Sequence, residues 1–270
     1  MKFDLHTHHV RCGHANGTIR DYIEAGITSG LDVIGISDHT PYFGHEDDQP
    51  FPNITMRKSE FGAYVDEVLK LKVEYAGRID VLLGIESDFF PEYAKLYHQT
   101  LSRYPFDYII GSVHHTHGVS IFNKNRWRDL SEEDRIETKT AYYRLIRESA
   151  QANMFQILGH IDAMKGNYPA FSDIQTPAAI DQTLQAIAQH GIAIEINTSG
   201  KTKLSGGWYP SDDILERALY YAVDVTFGSD AHKPERVGEE WEDVRQRLLE
   251  IGFKSWVYFK QKQKQVVALN

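Results

Sequence analysis

Lys2-Phe3-Asp4-Leu5-His6-Thr7-His8 is the stretch whose reading decides the fold. It is short, and it is apolar at its start and rich in potential ligands at its end. Residues i and i+2 of a strand project to the same side, so His6 and His8 share a face and Thr7 points away. Residues 18–30 follow with a helical period: Ile19, Tyr22, Ile23 and Ile27 fall on one face, and Thr18 stands at the N-cap. Between strand and helix, the loop 11–16 carries His14, and Gly13 and Gly17 allow it to turn back over the strand end.

The same unit recurs along the chain. Strands are expected at 2–8, 32–38, 80–86, 106–114, 155–160, 192–197 and 223–229, and helices at 18–30, 57–76, 92–104, 131–152, 176–190, 211–222 and 239–251. Seven β-then-α units predict an α/β fold on a parallel sheet with right-handed crossovers, either closed into a barrel or doubly wound. Residues 254–269 read as a last strand pair or a basic tail. No low-complexity segment, repeat or Gly/Ser-rich linker interrupts the pattern, so residues 1–270 read as one domain.

Composition narrows the function. With 41% apolar and 25% charged residues the chain is that of a globular protein. A net charge of −9 weighs against nucleic-acid or membrane-surface partners, which need basic patches, yet leaves room for a small anionic substrate beside bound metal. Cys12 stands alone, which excludes a disulfide framework and fits a reducing cytoplasm. The amino terminus runs directly into the first strand, and no signal peptide or membrane-length apolar run is expected.

The 13 histidines are unevenly placed. His6 and His8 end the first predicted strand, Asp38-His39 the second, Glu86 the third, His114 the fourth and His160 the fifth. Asp230 and His232 follow the seventh. Active sites of parallel α/β folds form at the carboxyl ends of the strands. Six strand ends and the His14 loop therefore deliver ligand-type side chains to one face. Taken singly, His160 reads as a packing residue, and a His-x-His pair also occurs in surface strands. The set of nine carries the inference. Glu86 closes the apolar run Val81-Leu82-Leu83-Gly84-Ile85, where a carboxylate is costly unless it meets cations, and its two oxygens suit a bridge. His9, His45, His98 and His190 fall outside the pattern and are expected at surface or helix positions. Cys12 reads as a small buried thiol.

His6-Thr7-His8, Ser37-Asp38-His39, Gly84-Ile85-Glu86, Ser112-Val113-His114, Gly159-His160 and Ser229-Asp230-Ala231-His232 together resemble the motifs of the polymerase and histidinol phosphatase (PHP) superfamily over nearly the whole chain. Asn197-Thr198-Ser199-Gly200 and Gly206-Gly207 add a resemblance to its bacterial histidinol-phosphate phosphatases. The resemblance implies a distorted (β/α)7 barrel with three divalent ions, and imidazole with carboxylate suits zinc, manganese or iron. One ion would take His6, His8, Glu86 and Asp230. A second would share Glu86 and add His114 and His160, and a third would take His14, His39 and His232. Nine ligands are too many for one ion and generous for two. Asp38 is left as an acceptor that orients a ligand imidazole.

The expected reaction is hydrolysis of L-histidinol phosphate by a metal-bridging hydroxide attacking phosphorus, with Glu86, Asp230 and His232 in the catalytic group. Relatives often carry an arginine after the Asn-Thr-Ser-Gly turn. Here Lys201-Thr202-Lys203 stands there, which makes Lys201, with Arg236, Arg126 and His115, the candidates for substrate contact. Glu46, Asp47 and Asp48, with Tyr42 and Phe43, are candidates for meeting a cationic amino-imidazole group. Rival readings are another phosphoesterase of the superfamily, an amidohydrolase barrel and a non-enzymatic metal-binding protein. No strand-end lysine supports the amidohydrolase.

Overall fold

The structure, a computed structural model, describes residues 1–269. β1 (Phe3–Asp4), β2 (Val33–Ile36) and β3 (Asp80–Leu83) form a parallel sheet in that order. The third predicted strand then breaks at Gly84-Ile85. Its continuation, β4 (Glu86–Asp88), pairs with β5 (Ile110–Ser112), so Glu86 opens a strand instead of closing one. After a small antiparallel pair, β6 (His115–Thr116) and β7 (Val119–Ser120), come β8 (Ile157–Leu158), β9 (Ala193–Asn197) and β10 (Asp224–Gly228). These complete a second parallel sheet of five strands, ordered β10-β9-β8-β5-β4. The sheets are bonded at both margins. Leu5 N–H donates to Phe227 O and His8 N–H to Ala231 O on one side, and Glu86 N–H donates to Ser37 O on the other.

Gly84, at the break in the third strand, packs against Tyr108. Tyr108 fills the interior and donates its hydroxyl to Leu5 O at 2.5 Å. A Cβ on Gly84 would lie 2.3 Å from its ring, and one on Gly35 would lie 1.8 Å from its hydroxyl oxygen. Only glycine at both positions admits the ring.

Among the described residues seven α-helices alternate with the parallel strands: α1 (Ile19–Thr28), α2 (Phe61–Glu74), α3 (Ala94–Leu101), α4 (Glu132–Gln151), α5 (Pro177–Gln189), α6 (Asp212–Tyr220) and α7 (Trp241–Ile251). α1 starts on a capping box of Thr18 and Asp21, and α4 on one of Ser131 and Asp134. Such caps contribute about 1 kcal/mol each. Among the described residues no helix is long and apolar enough to cross a membrane.

Residues 254–269 contain a strand pair. β11 (Ser255–Lys260) and β12 (Gln263–Ala268) are antiparallel around Gln261-Lys262, both at positive φ as a two-residue hairpin turn requires. Trp256 packs on Phe3 and Trp241, while Lys260 and Lys264 reach Asp80 and Asp224, the first residues of β3 and β10. The hairpin thus covers the amino-terminal ends of the strands and leaves the carboxyl ends to the histidines.

Candidate metal centre

His6 and His8 project to the same side, with ring centroids 5.0 Å apart, and Thr7 turns away to donate to Gly35 O. Glu86 lies at the middle of the cluster. Its Oε2 is 2.8 Å from His39 Nδ1, 3.4 Å from His6 Nε2 and 3.6 Å from His8 Nε2. Its Oε1 is 3.1 Å from His160 Nε2 and 3.5 Å from His114 Nε2, and accepts from Ser112 Oγ. The two oxygens therefore serve different sets of imidazoles. Asp230 Oδ1 stands 3.0 Å from His8 Nε2 and 3.8 Å from His6 Nε2, while Oδ2 accepts from Ser199 Oγ. His160 and Asp230 both hold positive φ, 29° and 52°, strain that tightly packed sites sustain.

All nine sequence-derived candidates converge, with one difference in grouping. His39 approaches Glu86 and His8 as well as the expected His14 and His232, so it lies between the inner residues and the outer set.

Hydrogen bonding on the far nitrogens shows what the cluster fits. His14 Nδ1 faces Cys12 O and His232 Nδ1 faces Asp230 O; as donors to these carbonyls, both rings carry their protons on Nδ1. The two Nε2 lone pairs then oppose each other at 2.9 Å. Burial and the neighbouring His8 and His39 hold His232 down to about 3, and burial with His39 and His8 holds His14 down to about 4, so a shared proton is disfavoured. A cation satisfies both. His114 Nε2 and His160 Nε2 are 3.3 Å apart, and two nitrogens each about 2.0–2.1 Å from one tetrahedral zinc sit at about that separation. His6 Nε2, His8 Nε2 and Glu86 Oε2 are buried, and their close approaches to neighbouring side chains lack hydrogen-bond geometry.

Three carboxylates back the inner rings. Asp38 meets His8 Nδ1 at 3.2 Å, the orienting contact expected of it. Glu195 meets His6 Nδ1 at 2.6 Å, and Asp88 meets His114 Nδ1 at 2.8 Å. Sequence reasoning missed the last two. The signals were a glutamate inside the apolar run Ile192-Ala193-Ile194-Glu195-Ile196, and an aspartate two residues beyond Glu86. Burial opposes charge on these rings, yet Asp230 and Asp38 raise His8 to about 9, and Asp88 and Glu86 raise His114 to about 9. Against the same burial, His39, His6 and His114 hold Glu86 well below its ordinary range, and His6 and His8 do so for Asp230.

His9 requires correction. It is buried, not at the surface, because its Nδ1 lies 3.3 Å from the other oxygen of Asp38 and its ring stacks on Tyr64. His45, His98 and His190 are exposed as expected. Cys12 is buried; its thiol donates to His9 O, and burial pushes its pKa up, so it stays protonated.

The four substrate-contact candidates are dispersed. Lys201 is paired with Glu240 at 2.6 Å and Glu239 at 3.3 Å, and Arg236 with Glu239 at 2.7 Å. Arg126 spends its guanidinium on Thr116, Val119 and Ser120 oxygens beneath the β6–β7 pair. His115 lines a cavity of about 510 Å³ with Tyr42, Phe51, Asp88 and Phe90, behind His114. Glu46, Asp47 and Asp48 are exposed, and Asp48 caps the turn at Ser59. Lys203, which sequence reasoning passed over, makes no ion pair among the described residues. Its Nζ lies 5.6 Å from the Phe122 ring, which sits 5.9 Å from that of His114.

An α/β fold with parallel sheets and a buried histidine–carboxylate cluster of this kind defines a divalent-metal-dependent protein. The chain belongs to the PHP domain family, whose model matches residues 4–199. It is 32% identical over 250 residues to the "Probable histidinol-phosphatase" of Deinococcus radiodurans, covering 92% of this chain and 93% of that protein. It is 29% identical to the histidinol-phosphatase of Bacillus subtilis, covering 92% and 99%. In fold it matches the histidinol phosphate phosphatase of Lactococcus lactis, crystallised with zinc, L-histidinol and phosphate. That match has a TM-score of 0.80 at 19% identity and covers 98% of each chain.

Proposed function

We propose that this chain is a metal-dependent phosphomonoesterase that hydrolyses L-histidinol phosphate to L-histidinol and phosphate, as a cytoplasmic enzyme of one domain, residues 1–270. The observation that carries the reading is Glu86, whose two oxygens face two separate sets of imidazoles. We read the two sheets, bonded at both margins, as one distorted (β/α)7 barrel with the centre at the carboxyl ends of its strands. Three ions of zinc, manganese or iron would be held by His6, His8, Glu86 and Asp230; by Glu86, His114 and His160; and by His14, His39 and His232.

Divalent ions there would neutralise phosphoryl oxygens and make a water in the site acidic near neutral pH. The remaining work belongs to side chains. Ser199 and Asn197 hold Asp230 Oδ2, which aims Oδ1 into the cluster as an acceptor for a water proton. With its pKa held low, Asp230 stays ionised and accepts hydrogen bonds without donating to the leaving oxygen. His232 is kept in one tautomer by the Asp230 carbonyl. Lys203, free of acidic partners among the described residues, supplies the cation for the phosphate that Lys201, engaged by Glu239 and Glu240, does not.

A substrate panel tests the reading. On enzyme of defined metal content, kcat/KM for L-histidinol phosphate should exceed that for nucleoside monophosphates and p-nitrophenyl phosphate by at least about 100-fold. Equal turnover of all three would remove the substrate assignment.

A further inference from the structure

We propose that Glu195 is the positioning residue of the inner centre, one buried carboxylate that fixes side chains arriving from three different strands. The inference rests on the reading of the cluster as a metal centre. Glu195 lies in the middle of β9, where every residue is buried. Strand alternation puts Glu195 and Asn197 on one side, with Ile194 and Ile196 on the other. Its Oε1 meets His6 Nδ1 at 2.6 Å. Its Oε2 accepts the backbone N–H of His160 at 3.1 Å and the side-chain amide of Asn197 at 2.9 Å. That amide is also 3.3 Å from Asp230 Oδ2. His6 on the β1 side, His160 after β8 and Asp230 after β10 are thus tied to one group.

The surroundings are shaped for the carboxylate. A Cβ on Gly228 would fall 1.9 Å from Glu195 Oε1, and one on Gly159 would fall 3.5 Å from Oε2. The side-chain-free position at Gly228 leaves it room, and a Cβ at Gly159 would only touch it. No lysine or arginine pairs with it among the described residues, and its only ionic partner is the His6 ring. A buried carboxylate is costly without compensating charge, so the centre itself must supply it. By accepting the His6 Nδ1 proton, Glu195 fixes the tautomer that turns the Nε2 lone pair toward Glu86 and Asp230. By holding the His160 N–H it also secures a ligand whose φ of 29° is otherwise unfavourable.

Metal binding tests this apart from turnover. Metal-stripped wild type and Glu195→Gln are dialysed against buffered zinc, and bound zinc per chain is measured. The Gln variant is expected to bind its tightest ions about 10–100-fold more weakly. Glu195→Asp keeps the charge but withdraws the oxygens from His6, and it carries the test if the Gln variant does not fold; it too should bind zinc more weakly. In a His6→Ala background the cost of Glu195→Gln should shrink, since one of the partners through which it acts is gone, and the part carried by His160 and Asn197 should remain. Wild-type zinc affinity in the Gln and Asp variants, or an undiminished cost without His6, would overturn the proposal. Wild type that takes up no zinc would instead remove the reading on which it rests.

Discussion

On the inner side of the cluster, His6, His8 and His114 each turn Nδ1 to a carboxylate, respectively the buried Glu195 and Asp38 and the half-buried Asp88. At the mouth, His14 and His232 turn theirs to the backbone carbonyls of Cys12 and Asp230. Carboxylate backing raises ligand basicity and fixes the ring, whereas a carbonyl fixes the tautomer with much less charge. The pKa directions follow: His6, His8 and His114 are raised, His14 and His232 lowered. Inner ions should therefore be held tightly and the outer ion exchanged readily.

The largest expected effect comes from removing what the inner sets share. Glu86→Gln should lower kcat by three orders of magnitude or more, the scale seen when one member of a group acting as a unit is lost. Metal content should fall with it; an active, metal-replete variant would break the comparison at its centre. Next in size are variants that touch one region each. Asp88→Asn should weaken metal binding about 10–100-fold through His114. His14→Ala should release a single ion and leave inner affinity at the wild-type level in metal analysis after dialysis.

Without metal the two regions should respond oppositely to pH. His8 and His114, raised to about 9, stabilise the metal-free chain fully below the ordinary histidine value of about 6.5. That contribution is lost as pH rises through 9. His232, lowered to about 3, contributes above about 6.5, and its share is lost as pH falls through 3. The Tm of the metal-stripped chain should peak around pH 6–7. A Tm that climbs steadily to pH 10 would contradict the raised inner histidines. The smallest effect lies outside the cluster: Lys203→Ala should raise KM about 10-fold, whereas Lys201→Ala, already neutralised by two glutamates, should stay within about twofold.

Why the inner backing escaped sequence reading is physical. The parallel α/β organisation was legible because buried strands read as apolar runs and each ligand-type residue stands where a run stops. Eight of the nine cluster residues share that signal, and His14 comes from the loop after the first run. Asp88 and Glu195 do not: they are carboxylates inside strands, and which imidazole each meets depends on the neighbouring strand, not on local spacing. His9 was misplaced for the same reason, since its burial depends on Asp38 reaching two rings at once. The close approach of Tyr108 to Gly84, 24 residues before it, is likewise announced by no local pattern. Lys201 and Lys203 are equivalent by sequence, and only the position of Glu239 and Glu240 separates them.

The most direct test of the central claim is phosphate release from L-histidinol phosphate by metal-stripped protein as zinc or manganese is added back. The account predicts negligible release from the stripped chain and recovery that tracks metal bound, complete only after more than two ions per chain are taken up. Undiminished release from the stripped chain, or none from the fully loaded one, would contradict it.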